Sequence, residues 1–402
     1  MNANVDASTM RRMNRSTVLK LIRDLRTTSR IDIAQMTGLN KATVSNIVDE
    51  LIREQFVLEI GYGSSSGGRK PVLIRFNANA AYAIGVDVQL SHITTVVCNI
   101  RGEFTYREVT PISLYRDGPD QRADLVRVIS EQINLAMKSA PKSTYGLVGI
   151  GIGVPGMVDF RSGTIYYLPH VYKGEWHLVD ELSQEFSLPV FCDNDANCGA
   201  WNEYSGHGAA QKNLVYVSAG IGIGAGIIID GKLYRGHDGI AGEFGHMTIN
   251  PMGAQCECGN YGCWEEYVSD RGLLRHLREA GEDVASYDLG RPLVDQALLR
   301  AQQDNRATIR AFHELGQYLG IGISNILNSL NPEQVVLGGS MAAAATFVLP
   351  EIERIVRHRS VLRNKEVSIR VANVNSAAIG ASSMAIDQVL FSSPGSLDEL
   401  PS

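Results

Sequence analysis

The sequence predicts an α/β protein with a winged helix-turn-helix at its N-terminus, and three observations lead there. Residues 1–76 hold 12 Lys and Arg against 7 Asp and Glu, so this end carries +5 while the remainder carries −11. Within the basic end, apolar residues recur at helical spacing and then give way to two short strand-like runs. From Tyr82 the pattern changes to apolar strands interleaved with longer amphipathic segments. A net charge of −6 taken whole argues against nucleic acid; its asymmetry argues for a nucleic-acid-binding module joined to an acidic effector.

The chain of 402 residues has room for two or three domains with sizeable cores. No apolar run is long enough to span a bilayer, and Met1 to Asn14 has no signal-peptide pattern. The expectation is a cytoplasmic protein with no membrane partner, in which unpaired Cys98, Cys192 and Cys198 stay reduced in the core.

In the N-terminal module, Ser16 to Arg26 carries Val18, Leu21, Ile22 and Leu25 on one face. Ile31 to Met36 gives a short second helix, Thr37-Gly38-Leu39 turns, and Asn40 caps a third helix from Lys41 to about Glu54. Two helices across a short glycine turn make a helix-turn-helix. Val44, Ile47, Val48 and Leu51 form the buried stripe of the third helix. That leaves Lys41, Ala42, Ser45 and Asn46 outward near its N-terminal end, where with Asn40 they would meet the major groove of double-stranded DNA. Phe56 to Ile60 and Val72 to Phe76 read as strands flanking a wing whose tip, with Arg69 and Lys70, suits phosphate or minor-groove contact. A three-helix dimerisation domain with a flexible linker is the alternative.

In the body, Tyr82 to Val88 and Ile93 to Ile100 are expected strands around a turn at Asp87, with a hairpin at Gly102-Glu103. Leu125 to Met137 reads as an amphipathic helix, Leu147 to Val154 as a buried strand ending at Pro155-Gly156, and Val190 to Asp193 as a short strand. Asn194-Asp195-Ala196-Asn197 follows it and begins a helix through Trp201 to Tyr204. Leu214 to Ser218 and Ile227 to Ile229 bracket the glycine-rich stretch 220–226. Such a stretch could cradle phosphate through backbone amides, or could be a hairpin packed closely on another backbone. Thr308 to Leu330 is a long helix, Val335 to Leu337 a strand and Ala377 to Leu390 a final helix; residues 392–402 are expected to be disordered.

Gly239 to Glu266 holds half of the cysteines. Thiolates and imidazole are the ligands Zn²⁺ prefers, so His246, Cys256, Cys258 and Cys263 would bind a structural zinc with no position left for water. Free thiols or a redox pair are the alternative. Cys256 and Cys258 stand closer in sequence than is usual, and Gly259 and Gly262 supply the backbone freedom a tight knuckle needs. His246 could hold metal through one ring nitrogen and face a ligand hydroxyl with the other, with Glu243 beside it and Glu265 carried to the same place.

Asp-Asn-Asp-Ala-Asn at 193–197, the glycine turn at 220–226, Gly-Glu-Phe-Gly-His at 242–246 and Cys-x-Cys-Gly-x-x-Gly-Cys-x-Glu at 256–265 together resemble the ROK family of repressors, open reading frames and sugar kinases. The winged helix resembles its repressor branch, and residues 38–45 and 65–71 are similar to xylose-responsive members from Gram-positive bacteria. The resemblance implies two actin-like, ribonuclease H-like lobes, the first from 77–194 with 376–391 and the second from 195–375, behind a DNA-binding domain over 1–76. It implies that Asn194, Asp195, Glu243, His246 and Glu265 bind a monosaccharide, D-xylose, and that a homodimer, or a tetramer, holds operator DNA until sugar arrives. Asn194 could equally be a helix cap.

Family kinases carry an Asp-x-Gly-Gly-Thr type turn where this chain has Asp87-Val88-Gln89-Leu90-Ser91, and Ile221 stands at a kinase threonine. Side chains at Gln89 and Leu90 obstruct the backbone approach that phosphate requires, so the resemblance implies a sensor, not an enzyme. A sugar kinase fused to a DNA-binding domain, or a regulator governed by a protein partner, are the other readings.

Overall fold

The computed structural model describes residues 7–63, 70–114, 121–169, 171–206, 211–288, 291–373 and 375–392. The N-terminal module is α1 (Ala7–Leu25), β1 (Thr27–Ser29), α2 (Arg30–Thr37), α3 (Lys41–Arg53), β2 (Val57–Tyr62) and β3 (Val72–Phe76), the strands forming one antiparallel sheet in the order β1-β3-β2. Ser29 starts α2 by a reciprocal cap with Asp32, and Gly38, at φ 69, ends it. Asn40 then caps α3 by accepting from Thr43 N at 2.8 Å. Val44, Ile47, Val48 and Leu51 are buried as the helical stripe requires. The leading helix begins earlier than its apolar stripe suggested, because its first turns are polar.

The body repeats one topology twice. In the first half, β4 (Tyr82–Val88), β5 (His92–Asn99) and β6 (Phe104–Pro111) form an antiparallel meander; α4 (Gln121–Ser139) follows, and β7 (Leu147–Val154) pairs parallel to β4. A small sheet of β8 (Met157–Asp159), β9 (Thr164–Leu168) and β10 (Tyr172–Trp176) leads through α5 (Leu178–Glu185) to β11 (Val190–Asn194), parallel to β7, and α6 (Asp195–Ser205). In the second half, β12 (Leu214–Ala219), β13 (Ile223–Ile229) and β14 (Lys232–Leu233) form the meander. After α7 (Glu265–Val268), α8 (Asp270–Glu279), α9 (Leu293–Gln302) and α10 (Arg306–Leu330), β15 (Gln334–Gly338) lies parallel to β12. It is followed by α11 (Ala345–Arg359) and by β16 (Ser368–Val371), parallel to β15. The sheet orders β6-β5-β4-β7-β11 and β14-β13-β12-β15-β16 therefore match, although no residue-level repeat is visible in the sequence.

The last helix, α12 (Ser376–Ile386), is pinned between the first sheet and α6. A Cβ on Gly85 would overlap the Ala378 carbonyl oxygen, one on Gly151 that of Ala381, and one on Gly380 that of Cys198. Beyond it, Val389, Leu390 and Phe391 join Val18, Leu19, Ile22, Phe56 and Phe76 in one buried cluster, so the winged module and the first half of the body share a core. Arg23 pairs with Asp387 at 3.0 Å, and Phe56 stacks on Tyr145 at 4.7 Å between centroids.

Several expectations need correcting. Asp87 is not in a turn: it pairs with Thr94 inside β4, and the chain reverses at 89–91, where Gln89 N donates to His92 O at 2.9 Å. The glycine stretch is a turn only at Gly220–Gly222; Gly224 and Gly226 are within β13, and a Cβ on Gly226 would overlap the Ala196 carbonyl. Those glycines serve close packing on α6. Ser392 ends a π-type turn that continues α12, and residues 393–402 lie outside the described residues. Cys98, Cys192 and Cys198 are free and buried.

Candidate functional site

A 3-10 turn, Phe244–His246, delivers the imidazole, and the chain from Gln255 to Cys263 folds back through isolated bridges Gln255–Tyr261 and Thr248–Cys263. Gly262, at φ 66, is where the fold is tightest: a Cβ there would overlap the Asn250 carbonyl oxygen. Ligand atoms of His246, Cys256, Cys258 and Cys263 all come within 4.8 Å of one another. His246 Nδ1 is 3.7 Å from Cys256 Sγ, and Cys258 Sγ is 3.7 Å from Cys263 Sγ. Ligands about 2.3 Å from a tetrahedral zinc place its sulfurs roughly 3.8 Å apart, so the donor set and its spacing suit that ion. Cys256 and Cys263 are buried and Cys258 exposed. The neighbouring Trp264 docks the knuckle on α10, its Nε1 donating to Tyr318 O at 2.8 Å.

The other face of the imidazole turns away from the thiols. His246 Nε2 lies 3.7 Å from Glu243 Oε2. Partial burial and the nearby Glu265 raise the Glu243 carboxyl above its ordinary range, against the pull of His246. Glu265 Oε2 accepts from Ile223 N at 2.9 Å, which fixes the glycine turn to the start of α7. Glu243 shares a small cavity with Asn194, Gly156, Met157 and Gly242.

Asn194 is the cap of α6. Its Oδ1 accepts from Ala196 N at 2.9 Å and Asn197 N at 3.3 Å, and its Nδ2 donates to Gly156 O at 2.9 Å, leaving one amide hydrogen. Asp195 opens the helix and points elsewhere: its Oδ2 receives Gln89 Nε2 at 3.3 Å, and the same nitrogen donates to Asp87 Oδ1 at 2.8 Å. Burial, with repulsion from Asp195, pushes the Asp87 carboxyl up to about 7. Burial raises Asp195 to about 6 against hydrogen bonds from Gln89 and the helix backbone. The structure thus groups Asn194 with Glu243, and His246 with Glu243, while Asp195 faces Gln89.

Sequence reading missed Arg235. It donates to Asp193 Oδ2 through Nε at 2.9 Å and Nη2 at 2.6 Å and lies over the Phe160 ring at 4.0 Å, tying the segment after β14 to the first half of the body. A lone arginine before Gly236 carries no spacing signal, so only the fold brings it to Asp193.

On α3, Lys41, Ala42 and Asn46 are exposed and Ser45 is half-buried, while the Asn40 side-chain oxygen is engaged as a cap. Lys70 is exposed; Arg69 lies outside the described residues. Arg11 and Arg15 reach Glu50 at 3.1 and 3.5 Å, holding α1 along α3.

Comparisons with known proteins follow the same division. A family model described as ROK family matches residues 83–388, the body without the winged module. The chain is 35% identical over 391 residues to the xylose repressor of Caldicellulosiruptor bescii, covering 95% of this chain and 97% of that protein. A solved ROK family transcriptional regulator, described as a homologue of the E. coli MLC protein, superposes with a TM-score of 0.79 at 27% identity, over 97% of this chain and 99% of that one. A ROK family glucokinase from Streptomyces griseus, solved with glucose and AMPPNP, gives a TM-score of 0.67 at 26% identity, over 75% of this chain and 98% of the kinase. No helix among the described residues is long and apolar enough to cross a membrane.

Proposed function

The chain belongs to the ROK family, and on that footing we propose that it is a sugar-responsive transcriptional repressor, a homodimer that holds operator DNA until a monosaccharide, D-xylose first among candidates, fills its cleft. The observation that carries this reading is the joining of a winged helix, with Lys41, Ala42 and Asn46 exposed on α3, to a family-matched body through one continuous core. The names of the relatives supply the class of signal. In this reading 1–76 is the DNA-binding unit, 77–194 with 376–391 the first lobe and 195–375 the second.

Sugar hydroxyls are recognised by groups that accept and donate in fixed directions. Asn194, Asp195, Glu243, His246 and Glu265 are the residues assigned to that task. Zinc, held by His246, Cys256, Cys258 and Cys263, would supply a rigid cross-link and no reactive water. Its work is to fix the imidazole so that Nε2 remains on the Glu243 side.

The phosphate side argues against kinase chemistry. Gln89 lies across the carboxylates of Asp87 and Asp195, and Leu90 is buried where a glycine turn would leave backbone amides open. Asp195 keeps the carboxylate of a kinase base, and without a phosphate cradle its role is to bind. ATP consumption in a coupled assay with sugar present would favour the kinase reading instead.

Signal would travel through α12. It is pinned against α6, which begins at Asp195, and its continuation carries Asp387 and Phe391 to Arg23 of α1. For sugar to release DNA it must bind the DNA-incompetent state more tightly; moving a two-state equilibrium from 1:99 to 99:1 takes about 5.5 kcal/mol, which two sugars per dimer share. The test is fluorescence anisotropy on labelled DNA from the protein's own upstream region, titrated with D-xylose and D-glucose. Release by xylose supports the proposal, tight binding that neither sugar disturbs moves the signal elsewhere, and absence of binding overturns it.

A further inference from the structure

The cavity that Asn194 and Glu243 share lies between two facing walls. Gly156, Met157 and Asn194 come from the first half of the body, and the run from Gly239 to Glu243 comes from the second. The space they enclose is about 10 Å³, room for about one water. Small-molecule pockets run from roughly 300 Å³ upward, so a pyranose ring enters only if the walls part.

The second wall belongs to a strap, residues 234–242, hung from its own half at both ends. Tyr234 N donates to Ile227 O at 2.7 Å, and Gly242, at φ 99, lies so close to Ala225 that a Cβ would overlap its carbonyl oxygen. Ala241 N donates to Arg235 O at 3.0 Å, which closes the strap on itself so that it moves as one piece. Across the cleft it is fastened by Arg235, whose Nε and Nη2 donate to Asp193 Oδ2 at 2.9 and 2.6 Å and whose guanidinium lies over the Phe160 ring. Asp193 is fixed in β11: its Oδ1 accepts from Asn194 N at 2.8 Å and from Asn197 Nδ2 at 2.9 Å. Arg235 is therefore the partner that can let go. Widening the cavity by the thickness of a sugar ring carries the strap, and Arg235 with it, out of hydrogen-bond reach of Asp193.

We propose that the Arg235–Asp193 pair is the latch of a strap that excludes sugar while fastened, so that Arg235 is a positioning residue governing how readily the cleft admits its ligand. This rests on the reading that the cleft binds a monosaccharide and adds to it what guards the entrance. Once unlatched, the halves close on the ring, which bridges Asn194 and Glu243 in place of the latch. The latched state is the binding-incompetent one, and apparent affinity is reduced by the fraction of molecules that are unlatched. A contact that merely supports the wall acts with the opposite sign, since losing it disorders the site and weakens binding.

The test is isothermal titration of the full-length zinc-loaded protein with D-xylose and with D-glucose, for the native chain, Arg235→Ala and Arg235→Lys, with thermal unfolding recorded for each. Arg235→Ala should lower the Tm of the sugar-free protein yet bind sugar about tenfold more tightly than the native chain, the worth of a hydrogen bond to a charged group. Arg235→Lys keeps the charge without the planar fork and should tighten binding by less. Affinity unchanged or weakened in folded Arg235→Ala, or in Arg235→Lys should the alanine variant not fold, overturns the inference. Failure of the native chain and both variants to bind either sugar overturns instead the reading beneath it.

Discussion

The indole of Trp264 occupies the space that Gly322 leaves open on α10: a Cβ at Gly322 would overlap the ring. Trp264 follows Cys263 directly, so this packing sets where the His246/Cys256/Cys258/Cys263 knuckle sits. Gly322→Ala should cost about 1–3 kcal/mol by overpacking, read as a lower Tm. Sugar binding should weaken with it while DNA binding without sugar is kept. An alanine variant with native Tm and native sugar response would show that the knuckle is not held by α10.

Loss of one of the four proposed zinc ligands should separate sensing from DNA binding. Cys258→Ser should lower bound zinc, measured by atomic emission, and raise the sugar concentration needed for release by about tenfold, equivalent to about 1.4 kcal/mol. DNA affinity without sugar should be unchanged, because no ligand belongs to the winged module. A normal sugar response in zinc-free protein would sink the role given to the metal.

Asp87 and Asp195 should make stability fall as pH rises. Their folded ranges, about 7 and about 6, lie above the ordinary 3.8, so the folded state keeps these protons to higher pH than the unfolded chain. Their favourable contribution is present near pH 4 and is lost on going up through pH 6–7, with a slope of at most about 1.4 kcal/mol per pH unit for each group. Asp87→Asn should flatten part of that slope and raise Tm at neutral pH. Melting curves from pH 4.5 to 8 decide it, and a slope unchanged in the variant would refute the assignment to Asp87.

Among the exposed polar residues of α3, Lys41 and Asn46 should differ. Lys41→Ala should weaken binding to all DNA sequences alike and reduce the salt slope by about one phosphate contact. Asn46→Ala should cost about 1–3 kcal/mol on the operator and little on random DNA. Equal losses on both DNAs for Asn46→Ala would assign it to the backbone.

Arg23→Ala should strand Asp387, which otherwise receives Arg23 Nη1 at 3.0 Å and Trp201 Nε1 at 2.9 Å. Both side chains are only partly buried and Trp201 still donates to Asp387, so losing the charged partner should cost about 1.5–3 kcal/mol. The expected result is a lower Tm with sugar binding retained and sugar-dependent DNA release impaired. Release at the native sugar concentration would mean that coupling does not pass through this contact.

What could be read from the residues is what local physics dictates. The apolar stripe of α3 and its Asn40 cap, the strand at 147–154 and the metal-ligand spacing all rest on neighbours in sequence, and their elements appear where expected. The small sheet β8–β10 was not legible, because its strands are short, partly exposed and broken by register shifts. The turn expected at Asp87 forms at 89–91 instead, because Asp87 is buried in β4 by its pairing with Thr94. Gln89 and Asp195 are 106 positions apart, and Arg235 and Asp193 are 42 apart, so no pattern in the chain announces either contact. The duplicated sheet order leaves no trace because topology constrains pairing and burial, not residue identity.

The core shared by the winged module and the first half of the body joins the proposed DNA reader to one lobe through packed side chains. If sugar closes the cleft as proposed, the opposite lobe would move relative to a reader that travels with the first. In a dimer, the distance between the two recognition helices then depends on which lobe forms the dimer contact. Joined through the first lobes, the helices would hold their spacing whatever the cleft does; joined through the second, each closure would move both readers at once. Swapping this winged module onto another body should fail for the same reason, since the graft would be cut through the middle of a hydrophobic core.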